Sequence, residues 1–97
     1  MRVIALSTLR DFWVKHPDAL EPLSAWYAIG SRVHWASPSE VKAAYRNASF
    51  LAENRVVFNI KGNDYRLVVA MHYNRQIAYI HFIGTHRQYD QIDAGKV

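Results

Sequence analysis

The chain contains no cysteine, which excludes disulfide cross-links and thiolate metal sites and fits a reducing compartment. Proline and glycine are scarce, three and four residues respectively, and no repeat or low-complexity segment appears. No apolar run approaches the ~20 residues needed to cross a bilayer. The first residues, MRVIALSTLRDFW, lack the apolar core and small-residue cleavage site of a secretory signal, so a cytoplasmic protein is expected. Neither a His-Glu-x-x-His element nor a glycine-rich phosphate loop is present, so no metal and no cofactor are expected. Acidic residues are also in the minority, eight against twelve lysines and arginines, with five histidines besides.

What is abundant is apolar and aromatic side chain, 51% and 13% of the 97 residues, enough to bury a core in one domain spanning residues 1–97. The formal net charge of +4 and a pI near 9.6 draw such a domain toward polyanions, RNA among them.

Along the chain, Met1 to Ala5 reads as a β-branched edge strand. Ser7 offers a hydroxyl cap to a helix carrying Leu9, Phe12 and Trp13 on one stripe, and Pro17 ends it. Asp18 and Glu21 have capping-box spacing before a second stripe of Leu20, Leu23, Trp26, Tyr27 and Ile29, reaching toward Trp35. These aromatics read as core rather than as a stacking platform. Ser37-Pro38-Ser39-Glu40 is the clearest helix start, with Asn47 as the expected end. At Arg55 the apolar period changes from 3.6 to 2. Three strands follow, with turns at Gly62-Asn63 and Asn74-Arg75, and the middle strand is apolar on both faces. Gly84 then breaks the last strand, Thr85-x-x-Gln88 caps a short helix, and Gly95-Lys96-Val97 reads as a loose tail.

Two-residue turns would set Asn59 opposite Arg66, with Lys61 facing Asp64, and would pair Val68 with His81 and Arg66 with Ile83. Asn59, Lys61, Arg66 and His81 would then share one sheet face near Asn63, beside the helix that carries His86, Tyr89 and Asp90. That set matches what RNA cleavage by its own 2′-hydroxyl requires: a base, an acid and cations on the phosphate. Histidine suits the proton transfers, and the planar fork of arginine suits phosphate oxygens. Plainer roles compete with each assignment. His86 can serve as a capping residue, Tyr89 as core, Asp90 as a surface charge, and His81 as an ordinary sheet residue. Arg66 can simply pair with Asp64 or Asp90.

The segments VVFNIKGNDYRLVVAMHY and YIHFIGTHRQYDQID carry the composite pattern Asn59-x-x-Gly62-Asn63-x-x-Arg66 and Gly84-Thr85-His86-x-x-Tyr89-Asp90. With SPSEVKAAYRNASFL in the middle, the sequence resembles the HigB-type toxins of type II toxin–antitoxin systems, members of the RelE-like superfamily. The resemblance implies an α/β (α+β) fold, with N-terminal helices on a small, mainly antiparallel sheet and a short C-terminal helix. It implies a ribosome-dependent, metal-independent endoribonuclease that cleaves translated mRNA. It also implies a cognate HigA-type helix-turn-helix antitoxin, with DNA contacted only through that partner. By motif, His86, Tyr89 and Arg66 correspond to catalytic positions; Lys61, Asn59, Asn63, His81 and Asp90, on the shared face and the adjoining helix, are the expected RNA contacts. The lysine-dense site of the best-known RelE proteins is missing. Two other functions remain in competition: a non-catalytic RNA- or ribosome-binding inhibitor, and a pure protein-interaction module.

Overall fold

The computed structural model describes all residues from Met1 to Val97. Strand β1 (Arg2–Ile4) leads directly into helix α1 (Leu6–Lys15). A 3-10 turn (Pro17–Ala19), α2 (Leu20–Arg32) and α3 (Pro38–Ala44) follow. Strands β2 (Ser49–Phe50), β3 (Arg55–Ile60), β4 (Tyr65–His72) and β5 (Ile77–Thr85) then precede α4 (His86–Asp90). The five strands form one sheet in the order β1-β5-β4-β3-β2, antiparallel except for the parallel β1–β5 pair. The expected α+β architecture is present, with the helices preceding the hairpins in the chain.

One sheet face builds the main core. Val56, Phe58 and Ile60 of β3, Leu67, Val69 and Met71 of β4, and Ala78, Ile80 and Ile83 of β5 meet Leu9, Leu23, Trp26 and Val41 from the helices. Trp26, 2% exposed, packs edge-on against Phe58 with ring centroids 5.4 Å apart. Trp26 and Trp35 are core, as expected, whereas Leu20 and Ile29 of the same expected stripe are each 44% exposed and Tyr27 is only partly buried. Strand β4 is buried on both faces because a second, smaller cluster of Val57, Val68 and Ala94 covers its far side, flanked by Leu51, Phe82, Tyr89 and Val97. The C-terminal residues are therefore not a loose tail. They fold back across the outer face, and Arg55 Nη2 donates to the Val97 main-chain oxygen at 2.8 Å.

Several helix boundaries differ from the sequence expectation. Ser7 lies inside α1; the corner is made by Ala5 in the left-handed region (φ 72°), which turns the chain from strand to helix without a side-chain cap. Asp18 caps nothing either, because its carboxylate is taken by Lys61 and Tyr65. Helix α2 stops at Arg32 and α3 at Ala44, short of Trp35 and Asn47. At α3 neither half of the reciprocal box with the Ser37 cap forms. Glu40 reaches back to accept the Ala36 N–H at 3.1 Å, while the Ser37 hydroxyl turns to Ser39 and Glu40. The Thr85–Gln88 box at α4 is complete.

Candidate functional site

The β3–β4 hairpin keeps the predicted register, with Ile60 opposite Tyr65 and Asn59 opposite Arg66. Strand alternation turns Ile60 and Tyr65 into the core and sends Asn59 and Arg66 to the outer face. At the turn, Asp64 donates its N–H to the Lys61 carbonyl, and Lys61 and Gly62 both take positive φ (52° and 63°), where Gly62 and Asn63 were expected. That left-handed step carries Lys61 away from the outer face. Its ammonium lies 2.6 Å from Asp18 and 3.5 Å from Asp64. The predicted grouping of Lys61 with Arg66 is therefore not formed. The hydrogen bond from Lys61, followed by that from Tyr65, holds the Asp18 carboxyl below its usual range, and Asp18 in turn raises Lys61.

The second hairpin departs from the simple register at one residue. From His72–Ile77 to Val69–Ile80 the pairing is that of a two-residue turn; then a bulge intervenes, so Val68 pairs with Phe82 and Arg66 with Gly84. His81 is the inserted residue and has no direct cross-strand partner, which removes both the Val68–His81 and the Arg66–Ile83 pairs. It still faces outward, but among Tyr79, Arg55 and His72 rather than beside Arg66. Burial first and the Arg55 charge second push its pKa below the ordinary histidine value.

Pairing Arg66 with Gly84 brings β4 to the foot of α4. Thr85, opposite Tyr65, accepts the Gln88 N–H on its hydroxyl at 3.1 Å, and the Gln88 amide oxygen accepts the Thr85 N–H at 2.8 Å. The His86 N–H donates to the Asp64 carbonyl at 3.1 Å, pinning the helix start to the β3–β4 turn. One turn later Asp90 Oδ2 lies 3.1 Å from His86 Nδ1, which leaves Nε2 outside the pair. Both side chains are more than half exposed, at 52% and 60%. Tyr89 sits half-buried against the Val57–Val68 cluster.

Arg66 is held from one side. Its Nη1 donates to the carbonyls of Asn63 at 3.0 Å and Tyr65 at 3.3 Å, and no carboxylate pairs with it. The simple ion pair with Asp64 or Asp90 is thus absent, and the positive charge stays available. Asn59 Nδ2 donates to Asn63 Oδ1 at 3.4 Å in the same turn. The corner therefore assembles Asn59, Asn63, Arg66, His86, Tyr89 and Asp90, and leaves Lys61 and His81 outside it. The Arg66–Gly84 pair and the His86–Asp64 bond thus bring strand β4 and helix α4 together, and the cation, imidazole and phenol they carry are the kinds of group that bind and cleave a phosphodiester.

Sequence reasoning missed two supports of this corner. The Asp64 main-chain carbonyl anchors His86, a role no side-chain pattern signals. Gly84 is the other: a Cβ there would lie 2.5 Å from Phe82 Cζ and 2.9 Å from Gln88 Oε1, the oxygen that completes the cap. A glycine just before a Thr-x-x-Gln box was its visible signal.

A family model described as HigB_toxin, RelE-like toxic component of a toxin–antitoxin system, matches residues 19–92. The chain belongs to the HigB toxin family. Its partner is accordingly an antitoxin. The chain is 29% identical over 93 residues to the mRNA interferase toxin HigB of Escherichia coli (strain K12), covering 93% of this chain and 88% of that relative. The mRNA interferases HigB of Escherichia coli O157:H7 and of Shigella flexneri match with the same identity and coverage. The matched segment of this HigB-family chain contains the whole corner, from Asn59 to Asp90. No helix is long and apolar enough to cross a membrane.

Proposed function

We propose that this HigB-family chain is a metal-independent endoribonuclease that cleaves translated mRNA in the cytoplasm, on the ribosome, and thereby arrests translation. The observation that carries the reading is the exposed His86–Asp90 pair fixed at the foot of α4, at the end of the sheet where Arg66, with no carboxylate partner, pairs with Gly84. The E. coli and Shigella relatives are mRNA interferases, which supports the same substrate.

In the proposed reaction Arg66 holds the scissile phosphate, its Nη1 anchored to main-chain carbonyls and its remaining N–H groups directed to the anion. The 2′-hydroxyl loses its proton, its oxygen attacks phosphorus, and the bond to the 5′ oxygen breaks as that oxygen gains a proton. The products are a 2′,3′-cyclic phosphate and a 5′-hydroxyl end. His86 performs one of the two proton transfers through Nε2, and Asp90 holds Nδ1 and fixes the tautomer. Tyr89 contacts the nucleotide or phosphate, and Asn59 and Asn63 contact the RNA. The ribosome supplies substrate alignment, which suits so small a constellation. Lys61, neutralised by two carboxylates, is assigned to holding the hairpin turn on the helical layer. A HigA-type helix-turn-helix protein is the proposed antitoxin.

The test of the chemistry is the end group. RNA ends made by the purified chain with ribosomes should be 5′-hydroxyl; 5′-phosphate ends would contradict attack by the 2′-hydroxyl. A non-catalytic inhibitor would bind through the same unpaired arginine and leave the mRNA intact.

A further inference from the structure

Away from the Arg66–His86 corner, the larger of the two cavities is an open cleft of about 300 Å³ between the C-terminal half of α1 and the β5–α4 junction. Asp11, Phe12, Lys15 and His16 form one wall, and Phe82 and Gln88 the other. The volume lies at the bottom of the ~300–1,000 Å³ range of small-molecule sites, so a single flat ring system fits and a long ligand does not.

The walls have a consistent chemistry. The Phe12 and His16 rings stack with centroids 4.3 Å apart and planes within 21°, and both meet Tyr65 edge-on. Aromatic faces of this kind are platforms for nucleobases. Asp11 and Lys15, one helical turn apart and exposed, form no ion pair with each other or with any other residue. A carboxylate without a cation beside such rings is an acceptor for N–H groups, and the ammonium is free for a phosphate. The cleft also adjoins the proposed site through covalent and paired neighbours. Gln88 belongs to the cap that begins α4, and Tyr65 pairs with Thr85, the residue before His86.

We propose that this cleft reads the base of a nucleotide flanking the scissile phosphate, and that the base it prefers is guanine. The base lies against the Phe12–His16 pair. Its N1–H and N2–H donate together to the Asp11 carboxylate, and Lys15 holds a neighbouring backbone phosphate. Uracil offers one N–H between two carbonyls, which face the carboxylate unfavourably. The inference rests on the RNA-cleaving reading above and adds a specificity determinant to it.

Two measurements test it independently. In the first, amide NMR spectra of the intact chain are titrated with guanosine 5′-monophosphate and with uridine 5′-monophosphate, which requires no cleavage. Shifts should centre on Asp11, His16 and Gln88, with the uridine nucleotide at least about 10-fold weaker, in line with bidentate base readout. Asp11→Asn, at an exposed position, should erase that difference. In the second, cleavage sites of the wild type and Asp11→Asn are mapped on the same RNA pool. Wild-type cuts should be enriched beside guanine, and the variant should lose the enrichment. No guanine-nucleotide shifts in the cleft, or a base preference untouched by Asp11→Asn, overturns the proposal. Guanine-nucleotide binding in the cleft with no cleavage by the wild type would instead overturn the nuclease reading and leave a nucleotide site. The titration of the unmodified chain decides the binding question even where the variant is unstable.

Discussion

His86 and Asp90 stand one helical turn apart on the surface, so their replacement tests the proposed chemistry without opening the core. His86→Ala should keep the fold and lower the cleavage rate by about 10²–10⁴-fold, the usual contribution of a positioned acid or base. Asp90→Asn leaves the ring in place but no longer fixes its tautomer, so a smaller loss of rate is expected. A wild-type cleavage rate in Asp90→Asn would remove Asp90 from its assigned role. His81 provides a pH signature. Its pKa is depressed by burial and then by Arg55, so the unfolded chain binds its proton more tightly than the folded one. Stability should therefore fall as the pH drops below about 6.5, the ordinary value for histidine, and His81→Gln should flatten that limb in pH-dependent thermal melts.

At the scale of elements, α4 depends on its cap and on the glycine beneath it. Gly84→Ala places a methyl group against the Phe82 ring and the capping amide. A cost of about 1–3 kcal/mol is expected, as for other overpacked sites, with a larger relative loss of cleavage because His86 shifts with the cap. Equal losses in stability and activity would mean that the cap does not position His86. At the other end of the chain, Ala5 turns the β1–α1 corner at φ 72°. Ala5→Gly should raise stability by about 0.5–1 kcal/mol in denaturant melts, the left-handed strain relieved outweighing the added chain entropy.

The same elements show what the sequence disclosed. The β3–β4 register followed from alternation and turn length, because each turn residue could be counted and one apolar face had to stay inside. The Thr85 box was legible because both partners lie within one turn. The displaced register of β5 arises from a single extra residue, His81. Its trace was present in the spacing: Ala78 and Ile80 alternate inward, but the next inward residue is Ile83, three positions on. Lys61 went astray for another reason. Its direction depends on Asp18, 43 residues earlier, and no local pattern announces an ion pair across such a separation. The Arg55–Val97 bond that seats the C-terminal residues is equally remote in sequence.

On the scale of the molecule, the sheet separates two tasks. One face and the helices bury the main core, while the other carries a small apolar patch under the C-terminal residues and, beside it, the Arg66–His86 corner. A net charge of +4, with no arginine paired to an aspartate or glutamate, suits the proposed grip on RNA, which should weaken with salt. Arg66→Ala should reduce the log–log salt slope of single-stranded RNA binding by about 0.7, the value for one lost phosphate contact. A slope equal to that of the wild type would place Arg66 off the phosphate.

Under the proposed function this corner cuts mRNA during translation. That function is tested most directly by brief induction in a bacterial host with genome-wide mapping of mRNA 5′ ends, wild type beside His86→Ala. The account predicts new 5′-hydroxyl ends within translated codons for the wild type and none for the variant. Growth arrest by the wild type without new ends would contradict it and leave an inhibitor that binds and does not cleave.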